Sequence, residues 1–206
     1  MSGGAALSRE LAKRLWRLNE ATAAAVRVVL EEASVWGAGE YVGVHVRRGD
    51  KSKEVADVPL WRYAAAVRAV SGEEMAVFVA ADDGASVRGL RQLLAGRKVV
   101  AIRGAEGRGG HDQLATNRGY MKENYGRVVE LLAEVEALRG AKVFVGTFSS
   151  NLGRLVHVLR EGDERNSVSL DDRWAPGVAW RTFGERYCEM EPVNEVYCTR
   201  VREGRA

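Results

Sequence analysis

Four short apolar segments, rich in valine and alanine, recur along this chain and constrain its fold more than any other feature. They lie at 41–46, 75–80, 98–102 and 143–146, and each stops abruptly at charged, glycine or hydroxyl-bearing residues. Apolar runs of this length are typical of strands that are buried on both faces. Because a helical pattern follows each segment, the order predicts an α/β fold: one Rossmann-like parallel sheet covered by helices.

The spacing of apolar residues between these segments predicts the helices. One long amphipathic helix is predicted from Ser8 to Ser34, and another begins near Asp57 and Pro59. Further helices are predicted at about 85–95, ending before Gly96; from Tyr120 to Leu138, with Val128, Leu131, Leu132, Val135 and Leu138 on one stripe; and after Asn151.

The remaining stretches lack such periodicity. The segment from Gly104 to Gly110 has four glycines in seven residues, and no Gly-Lys-Ser or Gly-Lys-Thr follows it, so it is predicted to be a mobile connector rather than a Walker loop. Beyond Gly162 the chain is predicted to be irregular and exposed. No linker or repeat divides the sequence, which predicts a single domain spanning 1–206.

Clusters of polar residues follow three of the four predicted strands. They are Arg47, Arg48, Asp50 and Lys51 after the first, Asp82 and Asp83 after the second, and Thr147, Ser149, Ser150 and Asn151 after the last. The carboxyl ends of parallel strands meet at one edge of the sheet, where ligands of open α/β folds bind. Guanidinium groups bind phosphate oxygens through forked hydrogen bonds, and a helix start with free N–H groups favours anions. An anionic ligand is therefore predicted at this edge.

The same residues also fit simpler roles. A strand that reaches the surface often ends in charged residues for that reason alone. Asp82 and Asp83 also suit the cap of the helix that follows them. Arg48-Gly49-Asp50 matches the adhesion tripeptide that integrins recognise, although here it follows a predicted buried strand directly.

Composition argues against several classes of binding partner and ligand. The 206 residues are 46% hydrophobic with a formal net charge of +3, and the basic residues are dispersed among 28 acidic ones, so no nucleic-acid partner is predicted. Arg27 interrupts the most apolar stretch, at 21–30, and no membrane contact is expected from this segment. Cys188 and Cys198 either form a small disulfide loop or stay free, and with three histidines elsewhere they make no zinc pattern.

Three of the motifs resemble one family at matching spacing. His45-Val46-Arg47-Arg48-Gly49-Asp50-Lys51, Ala81-Asp82-Asp83 and Thr147-Phe148-Ser149-Ser150-Asn151 occur in the order found in α1,6-fucosyltransferases and their relatives among nodulation and protein O-fucosyltransferases. Ser169-Leu170-Asp171-Asp172 is similar to a downstream segment of the α1,6 enzymes. The resemblance covers 40–175 and leaves 176–206 as a tail.

The resemblance implies a GT-B glycosyltransferase, of which this chain is similar to the C-terminal lobe that holds GDP-fucose. The expected donor is GDP-fucose, with no metal or other cofactor, and the acceptor is a glycan or glycoprotein hydroxyl. It also implies the lumen of the Golgi or endoplasmic reticulum, where a Cys188–Cys198 bridge could persist.

The resemblance further implies a role for each matching residue. Arg47 would hold the diphosphate with help from Ser149, Ser150 and Asn151, and His45 would lie beside the guanine or its ribose. Glu134 would accept the guanine N–H groups, Asp82 and Asp83 match essential acidic positions, and Lys51 would approach the sugar. Glu54 is the candidate base that takes the proton of the acceptor hydroxyl. Glu134 as a solvated charge and Glu54 as an ordinary loop charge are the alternatives.

Three functions therefore compete. The first is a fucosyltransferase lobe that acts together with an N-terminal lobe, and the chain length favours a fragment of that kind. The second is a nucleotide-binding lobe without catalysis, since a GT-B enzyme needs both lobes. The third and most remote is an adhesion module that uses Arg48-Gly49-Asp50.

Overall fold

A computed structural model describes residues 10–34, 39–48, 57–110, 125–160 and 166–171. Its centre is one sheet of five parallel strands. The strands are β1 (Tyr41–Val46), β2 (Ala76–Ala81), β3 (Val99–Val100), β4 (Val143–Gly146) and β5 (Ser167–Ser169), in the spatial order β3-β2-β1-β4-β5. Every residue of β1, β2 and β4 is buried, as the apolar runs predict.

Five labelled helices cover this sheet. They are α1 (Glu20–Glu32), α2 (Leu60–Val70), α3 (Gly84–Leu93), α4 (Tyr125–Gly140) and α5 (Asn151–Leu159), with a 3-10 turn at Ala105–Gly107. Helix α2 packs against α3, while α4 packs against α1 and α5. The predicted α/β class, a parallel Rossmann-like sheet flanked by helices, is confirmed.

The prediction of one helix from Ser8 to Ser34 is wrong within the described residues. Residues 10–15 are helical, residues 16–19 are not, and α1 begins afresh at Glu20. The cause is Asn19, whose side-chain oxygen accepts a hydrogen bond from the Thr22 backbone N–H at 2.9 Å. An asparagine in this position starts a helix rather than continuing one.

The prediction that the chain becomes irregular after Gly162 is also wrong in part. Ser167–Ser169 pairs in parallel with β4, with Val145 opposite Val168, and all three strand residues are buried. Two of the three are serines, so the segment carries no run of apolar residues for a pattern search to find. The predicted strand at 98–102 is likewise shorter than expected, since only Val99 and Val100 pair with β2.

Helix α4 does not bury the predicted stripe. Val135 and Leu138 are buried, but Val128 and Leu131 are 47% and 45% exposed. The helix instead approaches the sheet closely at Leu138, whose Cδ2 would lie only 3.1 Å from a Cβ atom added to Gly43. The absence of a side chain at Gly43 permits this approach, and a glycine contributes nothing to a stripe defined by large apolar residues.

The strand order locates a switch in the topology. From β1 the chain moves to β2 on one side, whereas β4 lies on the other side of β1. Right-handed crossovers then put α2 and α3 on one face of the sheet and α4 and α5 on the opposite face. In doubly wound folds the ligand-binding crevice lies at such a switch point, which here is beyond the carboxyl ends of β1 and β4. We call this region the crevice.

Candidate functional site

The predicted polar groups of three strands lie at this switch point. Val44 is opposite Val145 in β4, and Val46 is opposite Ala81 in β2. The residues that follow β1 therefore have the Asp82 segment on one side and the turn at 147–150 on the other. We call that turn, which joins β4 to α5, the serine turn. The expected convergence of the strand ends is present.

Arg47 and Arg48 point to opposite faces of the sheet. Successive strand residues point to opposite faces, and Tyr41, on the same face as Arg47, donates its hydroxyl to the Ala137 carbonyl of α4 at 2.8 Å. Arg48 belongs to the other face, where its Nη2 donates to the Val58 carbonyl at 3.2 Å, just before α2. The α4 face of the crevice thus receives Arg47 alone of the two.

Asp82 orients the end of β1. Its Oδ2 accepts from Arg47 Nη1 at 2.6 Å, and its Oδ1 accepts from the Arg48 backbone N–H at 2.9 Å. The ion pair is a charge-assisted hydrogen bond, and it restrains the Arg47 guanidinium beside the end of β2. The sequence predicts that Asp82 binds substrate, and in this structure both of its oxygens are bonded to the two arginines that follow β1.

Asp83 serves as a helix cap, the simpler of its two predicted roles. Its carboxylate accepts from the Ser86 backbone N–H at 2.8 Å and from the Ser86 hydroxyl at 2.6 Å. The next residue, Gly84, lies so close to the 3-10 turn that an added Cβ would be 1.9 Å from the Glu106 carbonyl oxygen. Asp83 thus has a structural role at the start of α3, and its substrate contact stays a prediction.

His45 is buried, with 3% of its surface exposed, near the carboxyl end of β1. Burial lowers the pKa of His45 to about 4, and the charge of Arg47 acts in the same direction, so the ring is neutral at pH 7. Its Nδ1 has no hydrogen-bond partner among the residues that the structure describes. Strand alternation places it on the α4 face together with Arg47.

Glu134 lies on α4 and is buried, so the alternative of a solvated charge is wrong. Its Oε1 accepts from Arg108 Nη1 at 2.6 Å, and the same guanidinium contacts Glu130 at 3.1 Å and the Ala81 carbonyl at 3.0 Å. Burial raises the pKa of Glu134 to about 7, against the attraction of Arg108. Burial also disfavours the charge of Arg108, but both glutamates outweigh it and raise the pKa of Arg108.

Arg108 is a residue that the sequence patterns miss, because it lies in the glycine-rich segment predicted to be a mobile connector. Within the described residues this segment is anchored to the start of α3. The Gly84 N–H donates to the Arg108 carbonyl at 2.9 Å, and the backbones of Asp83 and Gly109 form an isolated antiparallel β-bridge. The signal that could have identified it is an arginine among glycines, facing two glutamates one turn apart on the next helix.

The serine turn is polar and tightly packed. Burial of Tyr63 raises the pKa of its hydroxyl, which is hydrogen-bonded to Thr147. Ser150 is buried at the N-cap of α5, and its side chain makes no capping bond. A Cβ added to Gly153 would lie 2.3 Å from the Thr147 carbonyl oxygen, so α5 starts almost in contact with the end of β4. Asn151 is exposed, and its Oδ1 accepts from the Arg154 guanidinium.

Asp171 belongs to the segment that is similar to the α1,6 enzymes, and the sequence assigns it no role. Its Oδ1 accepts from the Phe148 backbone N–H at 3.0 Å, and its Oδ2 accepts from the Ser149 N–H at 3.0 Å. These bonds join the end of β5 to the serine turn. Sequence patterns could not assign this contact because it depends on β5, which has no strand signature.

Several predicted residues lie outside the described ranges. Asp50, Lys51 and Glu54 are among them, as are Cys188 and Cys198 and the end of the adhesion tripeptide. Within the described ranges, no group of His, Cys, Asp or Glu side chains is arranged to hold a metal ion. In the same part of the chain, no helix combines the length and apolarity that crossing a bilayer requires.

Neither the models of known protein families nor the sequences of curated proteins match this chain.

Proposed function

We propose that this domain binds a nucleoside diphosphate sugar, GDP-fucose, in the crevice between the ends of β1 and β4, as the donor-binding lobe of a fucosyltransferase. The observation that carries the proposal is the pairing of β1 with β4, which brings Arg47 beside the serine turn at the topological switch point. A fixed guanidinium and a helix start whose serine hydroxyl makes no capping bond suit a diphosphate.

The proposed chemistry is transfer with inversion. The acceptor hydroxyl oxygen attacks the anomeric carbon of fucose while the bond from that carbon to the β-phosphate oxygen breaks. The hydroxyl proton goes to a base, for which the resemblance supplies Glu54, and GDP leaves. Negative charge grows on the diphosphate during this step, and Arg47, held by Asp82, stabilises it together with the α5 dipole.

The proposed place for the guanine is the α4 face of the crevice, beside His45. A neutral imidazole with an unpartnered Nδ1 offers a hydrogen-bonding group there without a second charge. Glu134, which the resemblance assigns to the guanine N–H groups, already binds Arg108. In this proposal the guanine must therefore share Glu134 with Arg108 or displace the Arg108 guanidinium.

Calorimetric titration with GDP and GDP-fucose tests the binding. We expect Arg47→Ala to weaken GDP binding by on the order of 10-fold to 100-fold, because hydrogen bonds to charged groups contribute about 1.5–3 kcal/mol. Arg48→Ala should have a smaller effect, since its side chain donates to Val58 on the other face.

Arg68→Ala is the matched control. Arg68 is in the last turn of α2, and its guanidinium donates to the Leu93 carbonyl at the end of α3, away from the crevice. Unchanged GDP affinity in Arg47→Ala would remove Arg47 from the site. No heat of binding at millimolar GDP would reject the nucleotide site itself.

A GDP-release assay with GDP-fucose and mixed glycan acceptors separates an active transferase from a lobe that only binds the nucleotide. Acceptor-dependent GDP release that Arg47→Ala abolishes supports transfer. Tight GDP binding without release favours the non-catalytic alternative for this 206-residue chain.

A further inference from the structure

The end of β5 holds the serine turn through a single carboxylate. Asp171 accepts hydrogen bonds from two consecutive backbone N–H groups, those of Phe148 and Ser149, each at 3.0 Å. One oxygen serves each amide. Such a two-pronged contact fixes both the position and the direction of the peptide plane between them.

Asp171 is itself held in place by the neighbouring residues of β4 and β5. The Leu170 N–H donates to the Gly146 carbonyl at 2.8 Å, which continues the pairing of β5 with β4. The buried Ser169 hydroxyl lies 3.0 Å from Asp171 Oδ1 and 3.3 Å from the Phe148 nitrogen. The Asp171 carboxylate is therefore anchored to the end of the sheet.

The inside of the turn is anchored as well. The Phe148 ring is fully buried and packs against His157 of α5, with ring centroids 4.9 Å apart. The side chain of Phe148 is thus held by the core while its amide is held by Asp171. These two anchors restrain the turn on both sides, and the turn carries Ser149, Ser150 and the start of α5.

This arrangement changes which donors an anion can reach. Backbone amides that follow a strand and precede a helix ordinarily bind phosphate. Here a carboxylate of the chain occupies those of Phe148 and Ser149. A diphosphate in the crevice would instead contact Arg47, the hydroxyls of the turn and the start of α5.

We infer that Asp171 is a positioning residue for the diphosphate: it fixes the serine turn so that the hydroxyls and the α5 start face Arg47. This inference rests on the proposed nucleotide site and assigns a role within it. Asp171 acts through the turn, and its own oxygens are engaged by the amides of Phe148 and Ser149.

The test compares GDP with GMP, because the two ligands differ by one phosphate. We expect Asp171→Ala to weaken GDP binding at least about tenfold, because the turn is no longer fixed and its hydroxyls no longer face Arg47. Stronger GDP binding, which the freed amides and the lost negative charge would produce if positioning did not matter, would overturn the inference. GMP binding should fall less, so the ratio of GDP to GMP affinity should shrink. A purely structural role would not change this ratio. Asp171→Asn, which keeps one acceptor oxygen, should give an intermediate ratio and guards against a variant that fails to fold.

Asn19→Ala is the matched control, since the Asn19 side chain also accepts a hydrogen bond from a backbone N–H but does so at the start of α1. It should lose about 1 kcal/mol of stability while the affinity ratio stays at the wild-type value. Amide hydrogen exchange gives a readout without ligand: Phe148 and Ser149 should exchange faster in Asp171→Ala and not in Asn19→Ala.

The outcomes of these experiments distinguish failure of the Asp171 positioning role from failure of the nucleotide site. If the wild type binds GDP and Asp171→Ala keeps the wild-type ratio, the positioning role is wrong and the nucleotide site stands. If the wild type binds neither GDP nor GMP, the site and the role fall together. If exchange at Phe148 and Ser149 is unchanged by Asp171→Ala, the contact that carries the inference is refuted whatever the affinities are.

Discussion

At the scale of single residues, the crevice depends on how charged groups are paired more than on how many there are. Arg47 and Arg48 are neighbours in sequence, yet one is held by Asp82 and the other reaches Val58 on the opposite face. Likewise Asp82 and Asp83 are neighbours, and one orients an arginine while the other caps a helix. Adjacent identical residues therefore have separate tasks, and a motif written as a string conceals this.

Two buried groups on the α4 face should give opposite dependences of stability on pH. Folded His45 has a pKa lowered from 6.5 to about 4, so between these values the unfolded chain binds the extra proton and stability rises with pH. Folded Glu134 has a pKa raised from 4.5 to about 7, so there the folded chain binds the extra proton and stability falls with pH. The two trends largely cancel between about pH 4.5 and 6.5 in the wild type.

Single substitutions should expose each trend. In Glu134→Gln only the His45 trend remains, and the unfolding free energy should rise from about pH 4 to 6.5 by on the order of 2–3 kcal/mol, since a tenfold change in proton affinity is about 1.4 kcal/mol. In His45→Gln it should fall from pH 4.5 to about 7. Urea unfolding at several pH values measures both. Parallel profiles for Glu134→Gln and the wild type would contradict the raised pKa.

At the scale of elements, the sequence predicts strands and helices wherever apolar residues dominate the contact. The runs in β1, β2 and β4 are buried and are found without difficulty. It fails where polar or small residues decide the structure instead: Asn19 splits a helix, serines form β5, and Gly43 makes room for Leu138 of α4. The last two depend on contacts between distant parts of the chain, so no local period encodes them.

The start of α5 should tolerate no side chain at Gly153. An added Cβ would lie 2.3 Å from the Thr147 carbonyl oxygen, so the backbone must move. We expect Gly153→Ala to destabilise the protein by about 1–3 kcal/mol, the usual effect of forcing atoms into a packed site. Thermal or urea unfolding measures this.

Gly126→Ala is the matched control for that change. Gly126 is in α4, is exposed, and has nothing within 4 Å of an added Cβ. Alanine there should stabilise by up to about 1 kcal/mol through helix propensity alone. If both substitutions had the same sign, close approach at Gly153 would not be the cause.

At the scale of the whole molecule, Arg160 joins three elements in the α4 half of the sheet. Its guanidinium is buried and donates to five carbonyl oxygens, those of Leu138, Arg139, Ala141, Lys142 and Asn166. They belong to the end of α4, the approach to β4 and the start of the β5 segment. Burial lowers the pKa of Arg160 to about 10, which still leaves it charged at pH 7.

Arg160→Met should therefore cost about 3 kcal/mol or more of unfolding free energy, because each buried acceptor left without a donor costs about 1–3 kcal/mol. Arg160→Lys should lose less stability than Arg160→Met but should still be less stable than the wild type, since an ammonium cannot span the same set of oxygens. Arg139→Met, at a more exposed site with an i,i+3 partner in Glu136, should change stability by less than about 0.5 kcal/mol. Equal effects at the two sites would rule out the role given to Arg160.

The sequence predicts where the candidate site lies but not how its residues are paired. The strand ends are located correctly because parallel topology forces them to one edge. The partners there, Arg108 for Glu134 and Asp171 for the serine turn, are not located. Each joins segments more than twenty residues apart, and only the folded arrangement brings them together.

The two outermost strands of the sheet are also its two shortest, with two residues in β3 and three in β5. A sheet margin with few exposed N–H and C=O groups gives an incoming chain little to hydrogen-bond to. The long strands, which would be the most effective templates for such growth, are flanked on both sides. In the described part of the chain, these short edges disfavour edge-to-edge polymerisation.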